Sequence, residues 1–151
     1  MRWSTGEATV ERLLAAGHIE RVQGAQANGE SWLDRARRSL DAARVLAESA
    51  PDSSVVLAYD AARQACVAVL AQQGLRPTTA GGHYVIEETI RAQFGPVLRA
   101  FGGLRRRRNE LEYPLYPTEQ ANAAEAAETL TTAAEIIEAA AKLLPNLGFF
   151  G

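Results

Sequence analysis

The sequence predicts an all-α protein, an up-and-down four-helix bundle with a short helix at its N-terminus. Alanine is abundant and β-branched runs are scarce in a chain that is 47% hydrophobic and 23% charged. That balance is typical of a soluble helical protein. Apolar residues recur at helical spacing in several long segments. Short turns with glycine and proline separate these segments, so successive helices are expected to run antiparallel.

Each predicted helix has a sequence signal at one of its ends. The first long helix is expected to start at Ser31 or just before it, with Ser31 as its cap. Gly74 is expected to end the second helix, which is apolar enough to be central. The glycine–proline pair at residues 95–96 is expected to kink or split the third helix. Pro114 ends the next stretch, and Thr118 opens the last helix. In chain order, the helices are predicted at residues 7–16, 31–49, 53–73, 83–100, 104–113 and 118–144.

At 151 residues the chain fits one domain of ordinary size, which needs no disulfide or metal for stability. We expect a short helix and linker over residues 1–29, with a loose polar connection at residues 18–29. The bundle should span residues 30–144. An apolar tail over residues 145–151 is expected to fold back or to meet a partner. The single Cys66 lies in an apolar helical context, which predicts a buried core thiol rather than a nucleophile.

The sequence gives no indication of a secreted, membrane, metal-binding or dinucleotide-binding protein. No signal peptide and no apolar run long enough to cross a membrane is visible, so we expect a cytoplasmic protein without membrane contact. The two histidines, His18 and His83, and the one cysteine are not at ligand spacing, so no metal site and no cofactor are expected. His83 follows two glycines and is expected to secure that loop. The same glycines lack the strand context of a dinucleotide-binding loop.

Charge is distributed unevenly along the chain. The net charge is −2, so the whole molecule is not a basic nucleic-acid binder. Residues 51–116 contain eight arginines against six acidic residues, whereas residues 117–151 contain Lys142 alone against five glutamates. Any electropositive surface must therefore be local, and four consecutive arginines at residues 105–108 can supply it.

The arginine run predicts the position of the functional site. It leads directly into Asn109 and, after a short spacer, Tyr113. Antiparallel helices place Tyr59, Asp60 and Arg63 at the same end of the bundle as this run. His83 lies at the opposite end of its helix, about 25 Å away at helical rise, so it is not expected to join the site.

On these residues the chain resembles the HEPN superfamily, specifically its small stand-alone bacterial members. The resemblance rests on residues 59–63, 74–77, 81–83 and 105–114, and it covers roughly residues 30–142. It implies a helical bundle that dimerises, and many members are metal-independent endoribonucleases. Their signature is an arginine, a polar residue and a short spacer before a histidine.

In this chain Arg108 and Asn109 match the signature, and Tyr113 stands where the family has histidine. The resemblance implies that Arg108 clamps the scissile phosphate while Asn109 orients it. Tyrosine is a poor base at pH 7, since its reference pKa is about 10, but it can donate a proton to a leaving oxygen. The remaining predicted site residues are Arg105, Arg107 and Arg63 as phosphate or RNA contacts, with Asp60 and Tyr59 in support.

Alternatives stay open for each feature. The protein is expected to be either a ribonuclease, as the toxin of a toxin–antitoxin pair, or an inactive HEPN module that binds RNA, a nucleotide or a partner protein. A nucleotidyltransferase antitoxin could modify Tyr113 or Tyr116. In simpler interpretations Arg105 and Arg106 face solvent, Tyr113 packs on the following prolines, and Asp60 with Arg63 forms only a helix ion pair.

Overall fold

The protein is described by a computed structural model, which covers residues 3–96 and 98–150 and all their side chains except that of His83. The loop-securing role expected of His83 therefore lies outside the described residues. The helices within them are α1 (Glu7–Ala15), α2 (Gly29–Leu46), α3 (Pro51–Gln72), α4 (Gly82–Phe94), α5 (Phe101–Glu112) and α6 (Ala123–Leu143). Two short strands, β1 (Ile19–Arg21) and β2 (Leu75–Pro77), accompany them. The all-α prediction is confirmed.

Helix α3 is the centre of the bundle, with α2, α5 and α6 packed around it. By length and composition α3 could cross a membrane, which the search for apolar runs in the sequence did not anticipate. However, 78% of its most apolar window is buried inside the protein. The apolarity of α3 is thus explained by its central position, since a core helix is apolar on all sides.

Two helices begin at asparagine caps that the sequence prediction did not identify. The Asn28 side chain accepts a hydrogen bond from the Ser31 N–H (3.2 Å), so α2 begins at Gly29 and Ser31 is not the cap. The Asn122 side chain accepts one from the Glu125 N–H (2.8 Å). Helix α6 therefore begins after Asn122, and the predicted start at Thr118 is wrong. In each case a side-chain oxygen satisfies an N–H that the first turn leaves unpaired.

The N-terminal segment is more ordered than predicted. Strand β1 pairs antiparallel with β2, with Ile19 opposite Pro77, so the loose connection expected at residues 18–29 is wrong over this stretch. The C-terminal tail folds back onto the same place. The Phe150 N–H donates to the Gln73 carbonyl (2.8 Å), and the Arg21 guanidinium donates to the Phe150 carbonyl. The division of the chain into three parts stays a prediction.

The break between α4 and α5 brings the arginine run against the core. Helix α4 ends at Phe94, directly before the glycine–proline pair, as predicted. Helix α5 then packs on α3, where the rings of Phe101 and Tyr59 stack with their centroids 5.5 Å apart. Because of this packing, Arg108 lies at the Tyr59 end of the bundle, which confirms the expectation from antiparallel topology.

Candidate functional site

Arg108 lies where α5 meets α3. Its guanidinium carbon is 5.9 Å from the centroid of the Tyr59 ring, and its Nη1 donates a hydrogen bond to the Asn109 side chain (3.3 Å). Its Nε atom is buried and has no hydrogen-bond partner among the described residues. A buried donor without a partner costs about 1–3 kcal/mol, so an acceptor supplied by a ligand would be favoured here.

Arg63, one turn after Tyr59 on α3, repeats this arrangement. Its Nε atom is also buried and lacks a hydrogen bond in the described part of the chain. The nearest carboxylate oxygen, Oδ1 of Asp60, is 3.7 Å away, which is an ion pair but is too long for a hydrogen bond. The predicted pair of Asp60 and Arg63 is therefore present. Arg63 also lines a cavity of about 340 Å³ with Thr78 and Thr79.

The ring of Tyr59 is the fixed element between these arginines. The side chain is fully buried. Burial raises the pKa of Tyr59 well above its ordinary value of 10.0, although the charges of Arg63, Arg108 and, more weakly, Arg105 lower it in part. The phenol thus stays neutral at physiological pH, and Tyr59 cannot act as a base. We call Arg63, Arg105 and Arg108 around Tyr59 the arginine site.

Arg105 is held by a carboxylate that the sequence analysis did not identify. Its Nε donates to Oε2 of Glu87 on α4, a side chain that is itself buried. The Arg105 guanidinium carbon is also 5.4 Å from the centroid of the Tyr84 ring. The sequence could indicate only that a partner exists, because a buried arginine needs a counter-charge. Nothing local in the sequence distinguished Glu87 from the other carboxylates.

Arg107 points away from the arginine site. Its guanidinium donates to the carboxylates of Glu110 (3.0 Å), Glu119 and Glu125 (Nη2 to Oε2, 3.1 Å), and to the Gln120 carbonyl. Hydrogen bonds from Arg107 to Glu125 and then Glu119 raise the pKa of the guanidinium further. The network ties α5 to the start of α6. RNA contact by Arg107 stays a prediction, and this guanidinium is already surrounded by protein acceptors.

Tyr113 directly follows α5 and is exposed. Its N–H donates to the Asn109 carbonyl (2.9 Å), while 76% of its surface is accessible. Leu115 and Tyr116 are exposed as well. Such exposure contradicts the simpler interpretation of Tyr113 as a packed helix stop. Arg108 is hydrogen-bonded to Asn109, whereas no hydrogen bond joins Arg108 to Tyr113 in the described part of the chain.

Two further findings concern what the site could hold. Among the described residues, no group of three or more His, Cys, Asp or Glu side chains could hold a metal ion. Cys66 is fully buried, as expected, and burial raises the pKa of its thiol. The arginine site itself offers guanidinium groups next to the buried phenol of Tyr59.

Comparison with known proteins identifies the family. A family model described as HEPN domain matches residues 30–144. Neither the curated proteins nor the solved structures gave a match. The matched region extends from the start of α2 to the end of α6, and it includes every residue of the arginine site. The helical bundle and the family match agree, and the chain belongs to the HEPN domain family.

Proposed function

We propose that the protein binds RNA at the arginine site, with Arg108 and Arg63 contacting the phosphate backbone. The single observation that carries the proposal is the pair of buried Nε donors, on Arg63 and Arg108, without hydrogen-bond partners in the described residues. Both flank the same neutral ring. A phosphate oxygen would supply the acceptor that each donor lacks.

The charge balance supports an anionic ligand. Asp60 is the one carboxylate paired with Arg63, at a distance too long for a hydrogen bond, and Arg108 forms no ion pair with any described residue. Guanidinium groups are planar forks that bind phosphate through two parallel hydrogen bonds. Because such binding releases counterions from the nucleic acid, affinity should fall steeply as salt rises. In a homodimer, which the family implies, two arginine sites could act on one RNA.

A second candidate is metal-independent RNA cleavage. The observation that favours it is the Arg108, Asn109 and Tyr113 spacing, with the phenol of Tyr113 open to solvent. Cleavage through the 2′-hydroxyl requires a group that accepts a proton and one that donates a proton. Water would accept the proton of the 2′-hydroxyl, Tyr113 would donate its proton to the leaving oxygen, and Arg108 would stabilise charge in the transition state.

The toxin–antitoxin role belongs to the same proposal. Tyr113 and Tyr116 are both exposed, so a nucleotidyltransferase partner could reach either hydroxyl. An adenylate on a phenol would remove its proton and add negative charge to the exposed segment that follows Arg108 in the chain. This would block both RNA binding and cleavage. After co-expression with such a partner, a mass increase of one adenylate on a peptide with Tyr113 or Tyr116 is expected, and an unmodified peptide would contradict it.

Binding and cleavage can be tested separately. Fluorescence anisotropy with a mixed RNA pool in EDTA should show salt-sensitive binding that weakens about tenfold or more in Arg108→Ala and in Arg63→Ala. The matched control is Arg38→Ala, an exposed α2 arginine with no ion-pair partner among the described residues. Absence of binding at low salt, or an equal loss in the control, would refute the RNA site.

Gel analysis of the same reactions tests the chemistry. If the protein cleaves, the Tyr113→Phe variant should keep RNA binding and lose cleavage, because only the phenolic proton is removed. Cleavage that survives in Tyr113→Phe would exclude Tyr113 as the proton donor. RNA that stays intact but bound would leave recognition as the function.

A further inference from the structure

A second group of arginines surrounds a separate small cavity. The cavity has a volume of about 150 Å³, and Arg91, Arg99 and Arg106 line it together with Glu87. Arg105 and Arg106 approach different oxygens of the Glu87 carboxylate, and of these two arginines only Arg106 lines the cavity. We call this the α4–α5 cavity. None of Arg63, Arg105 and Arg108 lines it, although Arg105 binds the Glu87 carboxylate that does.

The guanidinium groups of the α4–α5 cavity are poorly neutralised. Arg91 has the Tyr84 hydroxyl as a neutral partner (3.4 Å), and Arg99 makes no hydrogen bond or ion pair with any described residue. Arg106 lies 3.9 Å from the Glu87 carboxylate, which is already bound by Arg105. Three guanidinium groups thus line a cavity that has one carboxylate, whereas Arg107 alone is surrounded by three carboxylates.

The wall of the α4–α5 cavity is shaped by a glycine. A Cβ atom at Gly102 would overlap Oε1 of Glu87 and come within 3.4 Å of Nη1 of Arg106. Without that atom, the helix backbone lies directly against both charged groups. The Glu87 side chain is therefore held at the cavity by the close approach of α5, whereas the Arg106 side chain, which α5 itself carries, is 65% exposed.

We infer that the α4–α5 cavity binds the phosphate group of a phosphate monoester or free inorganic phosphate. Pockets for whole small molecules measure roughly 300–1,000 Å³, so this cavity fits a single phosphate group and not a nucleotide. A phosphate monoester has a charge of about −1.5 to −2 at neutral pH, which matches the excess of positive charge around the cavity. A backbone phosphodiester has only one negative charge. The inference goes beyond RNA binding at the arginine site and does not depend on it.

Titration of the full-length protein with inorganic phosphate in a chloride buffer tests the inference. Isothermal calorimetry should detect binding that weakens about tenfold or more in Arg99→Gln and in Arg91→Gln, because each removes a charge-assisted hydrogen bond. Arg38→Gln, the same change of charge on α2, should bind like the wild type. Arg91 and Arg99 are exposed, and circular dichroism should show that both variants keep the fold.

Three results would overturn the inference. The first is that the wild type binds no phosphate in the calorimeter, and the second is that Arg99→Gln and Arg91→Gln bind as tightly as the wild type. The third is that binding is lost in Arg108→Ala and kept in Arg99→Gln, which would assign the phosphate to the arginine site. Loss of RNA binding in Arg108→Ala, by contrast, tests only the proposed function.

The phosphate could come from the 5′ end of an RNA or from a small molecule, and RNAs with different ends distinguish these two sources. Two RNAs of one sequence, with 5′-phosphate or 5′-hydroxyl, are compared for binding. A preference for the 5′-phosphate that disappears in Arg99→Gln would support a site for RNA ends. Phosphate binding without such a preference would support a site for free phosphate or small phosphate esters.

Discussion

Replacement of Arg107 by glutamine should destabilise the fold rather than simply weaken RNA binding. The guanidinium joins α5 to the carboxylates of Glu119 and Glu125, both outside α5. Glutamine keeps the stem and some hydrogen-bonding capacity but removes the charge. The two carboxylates would then lie next to Glu110 without a counter-charge.

The expected loss of stability in Arg107→Gln follows from the number and the solvent exposure of the hydrogen bonds that Arg107 makes. Arg107 is 24% exposed, and Glu125 and Glu119 are 30% and 36% exposed, so solvent screens the pairs in part. Hydrogen bonds to charged groups contribute about 1.5–3 kcal/mol each when buried, and exposed ion pairs contribute about 0–1 kcal/mol. Glu110 is more exposed and adds little. A loss of about 2–3 kcal/mol is expected, which corresponds to a decrease in Tm of about 5–10 °C.

Urea and thermal denaturation of the wild type, Arg107→Gln and Arg107→Lys measure this loss. Lysine keeps the charge and should recover part of the stability. Arg38→Gln should stay within about 0.5 kcal/mol of the wild type, as exposed substitutions do. The difference caused by Arg107→Gln should shrink in 1 M salt. A loss below about 0.5 kcal/mol with weaker RNA binding would refute the structural role and favour direct RNA contact.

Three other predictions concern the pH dependence, a helix cap and the glycine wall. Burial raises the pKa of Cys66 and Tyr59 above their ordinary 9.0 and 10.0, so above pH 9 the unfolded chain releases these protons first. Stability should therefore be full below pH 9 and should fall above it by up to about 1.4 kcal/mol per pH unit through the thiol. In a denaturation series, Cys66→Ala should delay the start of the decrease to about pH 10, where Tyr59 contributes. Asn122→Ala should cost about 1 kcal/mol in urea denaturation through loss of the α6 cap, whereas Asn122→Asp should not. Gly102→Ala should lower the melting temperature because its Cβ overlaps the Glu87 carboxylate of α4. Gly103→Ala should raise it, because its Cβ meets only Arg106 at 3.9 Å and alanine has the better helix propensity. Equal stability of the last two variants would contradict the close approach of α5.

The helices and their relative positions were accessible from the sequence because their signals are local. Apolar periodicity located α2, a strongly apolar stretch located α3, and the abundance of alanine and glutamate located α6. The glycine–proline pair located the end of α4. Antiparallel topology then placed Tyr59 at the same end as Arg108 without any knowledge of side chains. The sheet was not predictable, since strands of three residues are too short to show an alternating pattern.

The partners of the arginines could not be predicted in the same way. The pair of Arg107 and Glu110 follows from helical spacing, but those of Arg107 with Glu125 and of Arg105 with Glu87 depend on how neighbouring helices rotate about their axes. The caps were ambiguous for a similar reason. Ser31 and Asn28 both offer an oxygen at the start of α2, and only the position where the backbone turns decides between them.

The small size of the buried alanines of α3 affects the geometry of the arginine site. Five of them are fully buried where α3 meets its neighbours, namely Ala58, Ala61, Ala62, Ala65 and Ala68. Interhelical distances depend on side-chain size at the contact, and close-packed interiors transmit strain. Since Tyr59 and Arg63 are interleaved with these alanines, a single added methyl group would shift both relative to α5. Sequence drift at positions that never touch a ligand can therefore change the spacing of the guanidinium groups, and with it the ligand that fits between them.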